Sequence, residues 1–207
     1  MTPPILKVCG LTRPEDARTS VNAGASAVGM IFYPKSPRAV TVEQASAVAE
    51  AIGDGAVKVG VFVNEPSGRI REIVAAVGLD IVQLHGDETP KDCLALDGLR
   101  LWRALRVGED FRPEEVQLYP VEAVLLDADA GAAYGGAGTT FPWEIAAAAG
   151  AYKKIIVAGG LEGSNVAEAI RAARPWGVDS NSKLESSPGV KDAAKVRSYL
   201  EAAKSVK

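Results

Sequence analysis

The stretch ILKVCGLTRPEDA, residues 5–17, decides between the two folds that the chain's pattern allows. It begins as a short apolar run typical of a strand. It continues into a helix start, in which Thr12 is the predicted N-cap and acidic residues follow Pro14. An open, doubly wound sheet should carry a glycine-rich fingerprint at this turn, and only Gly10 is found there. The stretch therefore favours a closed barrel of strand and helix units.

The same alternation of a short apolar run and a longer helix-like segment recurs along the chain. The predicted strands are ILKVC, SAVGMIF, AVKVGVF, DIVQL, RLWRAL, AVLLDA, KKIIVAG and WGVDS. The predicted helices are Pro14–Ala23, Val42–Ile52, Ser67–Val77, Pro90–Leu96, Pro142–Ala149, Ser164–Ala173 (with Ser164 as N-cap) and Val190–Ala203. Because no linker or change of composition interrupts the units, the pattern predicts an α/β fold, a single (β/α)8 TIM barrel domain over residues 1–207.

Composition excludes several classes of protein. The chain has 207 residues, 47% of them hydrophobic, and a formal net charge of −3, which gives no support for nonspecific binding to nucleic acid. No apolar run approaches the roughly 20 residues that span a membrane, and no secretory signal is recognisable, so we expect a cytoplasmic protein without a membrane partner. Cys9 and Cys93, both expected to be reduced, and the single histidine, His85, are too few for the usual four-ligand zinc site, so no metal is predicted.

Polar residues at the ends of the predicted strands are the candidate functional residues. Barrels of this type place their active sites at the carboxyl ends of the strands. A site at this end of the predicted barrel would combine carboxyl groups, cations and a thiol. The strand ends supply Cys9, Asn64, His85, Arg106, Asp127, Gly159, Gly160 and Asp179, and the loop after the second strand adds Lys35 and Arg38.

Cys9 has two interpretations that the sequence alone leaves open. Strand alternation places Lys7 on the same face as Cys9, so both side chains are expected to point into the barrel. A neighbouring ammonium group can lower a thiol pKa toward neutrality and make the cysteine a base or nucleophile. Cys9 could equally be a small buried hydrophobic residue. For Lys7 we favour a structural residue paired with a carboxylate over a Schiff-base lysine.

The sequence likewise leaves the roles of Asp127 and His85 open. Asp127 ends one of the most apolar runs, where a carboxyl group with a raised pKa would suit a general acid, although it could also be a helix cap or an ion-pair partner. Asp129 could take the same role. His85 could bind a substrate or orient a loop. A hydrolase that uses His85 as a base is disfavoured because no GxSxG motif accompanies it.

Three glycine- and serine-rich clusters indicate a ligand class. They are YGGAGTTF at 134–141, VAGGLEGSN at 157–165 and DSNSKLES at 179–186, and the last two follow the seventh and eighth predicted strands. Those two loops often bind phosphate in this fold through backbone N–H groups. Each cluster alone would be an ordinary turn, but together they favour a phosphate ester ligand.

The chain resembles the phosphoribosylanthranilate isomerase family along nearly its whole length. The resemblance rests on the order and spacing of KVCGLTRPEDA, GASAVGMIFYPKSPRAVT, VGVFVNE, VQLHGDE, LLDA, GGAGTTFPW, VAGGL and ESSPGVKD. It implies a cofactor-free isomerase of tryptophan biosynthesis. Such an enzyme converts N-(5-phosphoribosyl)anthranilate, an aminoaldose, into the aminoketose 1-(2-carboxyphenylamino)-1-deoxyribulose 5-phosphate by an Amadori rearrangement.

The resemblance also implies roles for individual residues. Cys9 matches the family base that removes a proton from sugar carbon 2, and Asp127 matches the acid that protonates the ring oxygen. Arg38 is expected to bind the anthranilate carboxylate. His85 and Asp179 match positions near the substrate. Phosphate binding is expected at Gly159, Gly160, Asn181 and Ser182. The expected partner is a small-molecule substrate, with the chain a monomer or a homodimer.

Lys183 departs from the family pattern, because relatives usually have a glycine at this point of the loop after the eighth strand. If that glycine has a positive φ, lysine adds strain or bulk, and its charge offsets part of this by attracting phosphate. We therefore expect a more mobile loop and weaker substrate binding. A lower KM in Lys183→Gly would support this expectation, and an unchanged or higher KM would contradict it.

Two other functions compete with the isomerase of tryptophan biosynthesis. A related isomerase of histidine biosynthesis, or a barrel serving both pathways, resembles barrels with two catalytic aspartates, and a cysteine in the base position argues against it. A noncatalytic sensor of phosphate ligands would keep the glycine-rich loops. Such a sensor would tolerate loss of Cys9 or Asp127, yet both are present.

Overall fold

The computed structural model of the protein describes residues 5–128 and 140–206. Two short 3-10 helices, Pro113–Leu118 and Ser182–Leu184, supplement the regular elements. The strands are β1 (Ile5–Val8), β2 (Ala27–Ile31), β3 (Val57–Phe62), β4 (Ile81–Leu84), β5 (Leu101–Val107), β6 (Ala123–Ala128), β7 (Ile155–Val157), β8 (Gly177–Ser180), β9 (Glu185–Ser187) and β10 (Val190–Lys191). The helices are α1 (Pro14–Ala23), α2 (Val42–Ile52), α3 (Ser67–Val77), α4 (Pro90–Leu94), α5 (Trp143–Ala149), α6 (Val166–Ala173) and α7 (Ala193–Lys204).

Strands β1 to β8 form a closed parallel barrel in chain order, which confirms the predicted fold class and rules out the open sheet. Closure occurs between β1 and β8, where Lys7 pairs with Asp179 in register. The longest register joins β5 to β6 and places Arg106 beside Asp127. Because all eight strands run in one direction, their carboxyl ends meet at one rim, where the candidate residues lie.

Helices α1, α2 and α3 begin and end at the residues that the sequence predicts. The last helix differs, because Val190 pairs with Ser187 in the antiparallel hairpin of β9 and β10. Helix α7 begins only after Asp192, whose carboxylate accepts hydrogen bonds from the N–H groups of Ala194 and Lys195. The sequence pattern predicts one continuous helix from Val190 to Ala203, whereas the Asp192 cap sets the observed start.

Two predicted N-caps are wrong. Arg13, not Thr12, is the N-cap of α1, and the Thr12 hydroxyl instead donates a hydrogen bond of 2.6 Å to the carbonyl of Gly189 in the last hairpin. Asn165, not Ser164, is the N-cap of α6, and its amide donates to the carbonyl of Gly160. The Thr12 hydroxyl therefore makes a tertiary contact with the last hairpin, whereas the Asn165 contact stays within the loop after β7.

Successive side chains of each barrel strand point to opposite sides of the sheet, and the apolar ones form two clusters. Residues that point outward pack against the helices. Residues that point inward fill the barrel, and among them Lys7 and Gln83 are completely buried polar side chains. Lys7 therefore lies below the rim rather than in solvent. The inward apolar cluster consists of Ala27, Val59, Ile81, Trp102, Ala104, Ala123, Leu125, Ile156 and Ala158.

Within residues 5–128 and 140–206, no helix combines the length and apolarity needed to cross a membrane.

Candidate active site

One cavity of about 490 Å³ opens at the carboxyl ends of the strands and brings together all nine predicted site residues. Lys35 and Lys183 also line this cavity. Asn64 is not part of it, because its backbone is left-handed and its side-chain amide donates to Asp87. The nine residues are Cys9, Arg38, His85, Asp127, Gly159, Gly160, Asp179, Asn181 and Ser182.

A second cavity of about 260 Å³ adjoins the first on the side of β5 and β6. His85 and Asp127 line both cavities, and Arg106 lines only the second. The predicted candidate Arg106 therefore lies beside the acid rather than in the main cavity.

Lys7 is an ion-pair partner of Asp179, with 3.0 Å between the ammonium nitrogen and Oδ1. Burial alone would lower the pKa of Lys7, but the nearby Asp179 and Cys9 raise it above its ordinary value, so the ammonium stays charged. This geometry confirms the structural interpretation of Lys7. Asp179 is only 8% exposed in its side chain and shares the cavity wall with Cys9.

Cys9 is a buried free thiol that lines the cavity. Burial raises its pKa above the ordinary 9.0, Lys7 opposes this increase, and Asp179 adds to it. The lowering of the Cys9 pKa that a neighbouring Lys7 could produce is outweighed, because the protein interior disfavours the thiolate and Asp179 neutralises the ammonium. At neutral pH the resting group is a thiol.

Gly29 in β2 makes room for this cluster, and sequence reasoning missed it. A methyl group added at Gly29 would lie 2.6 Å from the Cys9 sulfur and 3.1 Å from the Lys7 nitrogen. A glycine inside a strand that is otherwise apolar is a recognisable sign of a close approach, so the signal was present in the sequence.

Replacing Gly29 with alanine is expected to lower the free energy of unfolding by about 1–3 kcal/mol and to reduce kcat, because the new methyl group displaces Cys9 and Lys7. Thermal denaturation measures the first effect, and the turnover assay given under Proposed function measures the second. Gly68→Ala is the matched control, since that site lies in the exposed first turn of α3 with nothing within 4 Å. Equal behaviour of the two variants would contradict the close packing at Gly29.

Asp127 has the environment of a general acid. Its side chain is 14% exposed, and burial raises its pKa from 3.8 to about 6, with a further increase from Asp179 and opposing contributions from a backbone N–H, Lys7 and Arg106. Its carboxylate oxygen lies 3.8 Å from Nε2 of His85. The possible competitor Asp129 lies outside the described residues.

The imidazole ring of His85 is neutral at and around neutral pH. Burial lowers its pKa from 6.5 to about 3, and the positive charges of Lys7, Arg103 and Arg106 add to that effect. Its contact with Asp127 is therefore not an ion pair at neutral pH. The neutral ring can donate through one nitrogen and accept through the other.

Arg38 is held by a buried carboxylate that the sequence did not reveal. Its Nε and Nη2 donate to Glu185 at 2.8 and 2.7 Å. Lys191 donates to the same carboxylate at 3.0 Å and to the side chain of Asn181 at 2.9 Å. Burial alone would raise the pKa of Glu185, but the two cations hold it below its ordinary value. Because Arg38 and Lys191 share the single carboxylate of Glu185, the three side chains together carry a net positive charge beside the cavity.

Glu185→Gln is expected to lower the free energy of unfolding by about 3–5 kcal/mol, because it leaves buried cations without their anion. The same change frees Arg38 and should raise KM. The control is Glu122→Gln, which removes the half-buried partner of the exposed cations Arg100 and Lys154 and should cost about 1 kcal/mol or less. Urea denaturation compares the two variants, and a similar loss in both would contradict a buried network.

The loops after β7 and β8 form the remaining wall. Gly159 and Gly160 have φ of 85° and 61°, which side chains rarely adopt, so glycine is needed there. The Ser180 hydroxyl donates to the carbonyl of Leu161 and ties the two loops together. The third predicted cluster, residues 134–141, lies almost entirely outside the described residues.

Lys183 lines the cavity with an exposed side chain, and its φ is not in the left-handed region. The expected strain is therefore absent at this position. Its ammonium group can approach an anion in the cavity. The prediction of weaker substrate binding stays a prediction, with bulk as its remaining physical basis.

A model of the N-(5'-phosphoribosyl)anthranilate (PRA) isomerase family matches residues 6–202. The chain belongs to this family. The N-(5'-phosphoribosyl)anthranilate isomerase of Solibacter usitatus is 52% identical over 200 residues and covers 97% of each chain. That of Pelobacter propionicus is 46% identical over 199 residues, which are 96% of this chain and 95% of that protein.

Solved PRA isomerase structures share the barrel. The Thermus thermophilus enzyme superposes with a TM-score of 0.89 and 34% identity, covering 98% of this chain and 99% of that chain. Another PRA isomerase, in complex with reduced 1-(o-carboxyphenylamino)-1-deoxyribulose 5-phosphate, superposes with a TM-score of 0.87 and 33% identity, covering 97% and 98%.

Proposed function

We propose that this chain is a phosphoribosylanthranilate isomerase of tryptophan biosynthesis, which converts N-(5-phosphoribosyl)anthranilate into 1-(2-carboxyphenylamino)-1-deoxyribulose 5-phosphate. One observation carries the proposal most strongly. A thiol and a carboxyl group with a raised pKa, Cys9 and Asp127, line a single cavity together with the phosphate-type loops. Family membership over residues 6–202 supports the same substrate.

The proposed reaction uses one proton donor and one proton acceptor. Asp127 gives its proton to the furanose ring oxygen as the bond from that oxygen to carbon 1 breaks, and the anthranilate nitrogen forms a C=N bond to carbon 1. The Cys9 thiolate then removes the proton from carbon 2, and the released electron pair forms the C1–C2 double bond of an enolamine. Transfer of a proton from the enol oxygen to carbon 1 completes the aminoketose, so no net oxidation occurs.

The remaining wall residues bind the two ends of the substrate. The Arg38 guanidinium, oriented by Glu185, receives the anthranilate carboxylate. The loops with Gly159, Gly160, Asn181 and Ser182 receive the phosphate through backbone N–H groups. His85 and Asp179 contact the sugar between these ends.

Loss of anthranilate-conjugate fluorescence on incubation with the purified chain tests the proposal. Rapid loss of fluorescence with formation of the aminoketose supports it. Absence of turnover would overturn it and favour a sensor. The aminoaldose of histidine biosynthesis should be tested as a second compound. Faster turnover of that compound would assign the chain to the related isomerases instead.

A cytoplasmic location and a monomeric or homodimeric state remain predictions. Light scattering after size-exclusion chromatography distinguishes the monomer from the dimer.

A further inference from the structure

Gln83 is a polar side chain that the proposed reaction does not use. It lies in β4 two residues before His85, so both side chains point into the barrel. Gln83 is completely buried and does not line either cavity that His85 lines. Its Nε2 lies 2.9 Å from Nδ1 of His85. Gln83 can therefore act on a substrate only through the histidine ring.

The hydrogen bond between these side chains selects one form of the ring. A neutral imidazole carries a single proton, on either Nδ1 or Nε2. Since Nε2 of Gln83 faces Nδ1 and an amide nitrogen can only donate, we assign Nδ1 as the acceptor, which places the proton on Nε2. The opposite edge favours the same form, since Nε2 faces the Asp127 carboxyl oxygen at 3.8 Å, where an N–H is attracted and a lone pair is repelled.

The amide oxygen of Gln83 indicates that this side chain is not there to stabilise the fold. Within the described residues its Oε1 is a buried acceptor without a hydrogen-bond partner. A buried polar atom in that state costs on the order of 1–3 kcal/mol, whereas an apolar side chain of similar length would avoid the cost. Among residues 5–128 and 140–206, the one hydrogen bond that Gln83 makes through its side chain leads to His85.

We infer that Gln83 is a positioning residue that keeps His85 in the Nε2–H tautomer, so that the ring presents an N–H donor to a sugar oxygen beside Asp127. The catalytic part of this inference rests on the proposed function. The tautomer itself is a property of the free protein and can be measured without turnover.

Nitrogen-15 NMR of the uniformly labelled protein reads the tautomer directly. His85 is the only histidine in the chain, so one pair of ring nitrogen signals needs no assignment. We expect a protonated Nε2 and an unprotonated Nδ1. A protonated Nδ1, or an even mixture, in the unmodified protein would overturn the inference.

Two substitutions at Gln83 separate positioning from packing. Gln83→Met removes the hydrogen bond at similar length and should give a tautomer mixture, about a tenfold lower kcat and an unchanged or higher melting temperature. In Gln83→Glu a carboxylate facing Nδ1 can only accept, so the proton should move to Nδ1 and kcat should fall at least as far. KM should change less than kcat in both variants.

Trp102→Phe is the matched control, because Trp102 is buried in the barrel and pairs in register with Gln83, but contacts neither cavity. It should leave the tautomer and kcat unchanged. An Nε2–H ring with unchanged kcat in both Gln83 variants would overturn the inference while leaving the isomerase activity established. If the unmodified chain shows no turnover, the proposed function fails, and the NMR spectra of the Gln83 variants still decide the tautomer assignment.

Discussion

Cys9→Ser is expected to reduce kcat/KM by about 10²–10⁴-fold or more, because a serine hydroxyl cannot supply the anionic base that removes the carbon 2 proton. The substitution changes one atom in a buried position, so the fold should be retained. Steady-state assays by loss of substrate fluorescence give the ratio. Activity within a few-fold of the unmodified chain would refute the role of Cys9.

Cys93→Ala is the matched control for this experiment. Cys93 is the other free buried cysteine, and it lies in α4 on the outside of the barrel. Its removal should leave kcat/KM unchanged. In that background Cys9 is the only thiol, so the difference between the absorbance titrations of Cys93→Ala and of the double variant Cys9→Ser, Cys93→Ala isolates its thiolate from the tyrosines, and its pKa should lie above the ordinary 9.0 because burial outweighs Lys7. A value near neutrality would show that Lys7 dominates instead.

Asp127→Asn is expected to reduce kcat/KM by about 10²–10⁴-fold, because the amide cannot protonate the ring oxygen. It also changes the pH dependence. In the proposed mechanism the active form requires a protonated Asp127 and a Cys9 thiolate, although the pKa of Asp127 is about 6 and that of Cys9 is above 9.0. The fraction of molecules in this form rises with pH up to about 6 and is then constant until Cys9 titrates.

The free-enzyme profile of kcat/KM should therefore level off near pH 6 in the unmodified chain. In Asp127→Asn the residual rate should continue to rise until Cys9 loses its proton. The substrate phosphate titrates near the same pH, but both proteins encounter the same substrate, so the difference between the profiles isolates Asp127. Profiles of identical shape would contradict the acid assignment.

The same substitution should make the protein more stable at neutral pH. Since the folded pKa of Asp127, about 6, exceeds its ordinary 3.8, the acid contributes stability that is present below pH 4 and is lost as pH rises through 6. Asparagine avoids that loss. At pH 8 the variant should gain about 3 kcal/mol over the unmodified chain, and at pH 4 nearly nothing. Urea denaturation at both pH values measures the difference.

The fold was predictable because it depends on local patterns repeated along the chain. The bounds of α1, α2 and α3 follow from hydrophobic periodicity and punctuation by glycine and proline. The positions of Cys9, directly after β1, and of Asp127, the last residue but one of β6, could likewise be located, because a polar residue closes an apolar run. Once a barrel is assumed, a residue at the carboxyl end of a strand is also expected to lie at the rim that carries the active site.

Features that depend on pairing across the barrel could not be predicted. To predict the raised pKa of Cys9, one must know that its thiol is buried and that Asp179 already neutralises Lys7. The partner of Arg38, Glu185, lies 147 residues further along the chain. No local pattern records such pairs, and the hydrogen bond from Thr12 to Gly189, which takes Thr12 away from the predicted cap, is another contact of this kind.

The closure of the barrel between β1 and β8 has a consequence for how the protein is made. Lys7 meets its counter-ion Asp179 across 172 residues of sequence. During synthesis at 5–20 residues per second, the first strand therefore waits roughly 10–30 s for the strand that completes it. Until then the nascent chain carries an uncompensated lysine in an unclosed sheet, and contacts of such high sequence separation form slowly. The catalytic centre is thus among the last parts of the molecule to assemble, and a ribosome-bound fragment without β8 should be inactive.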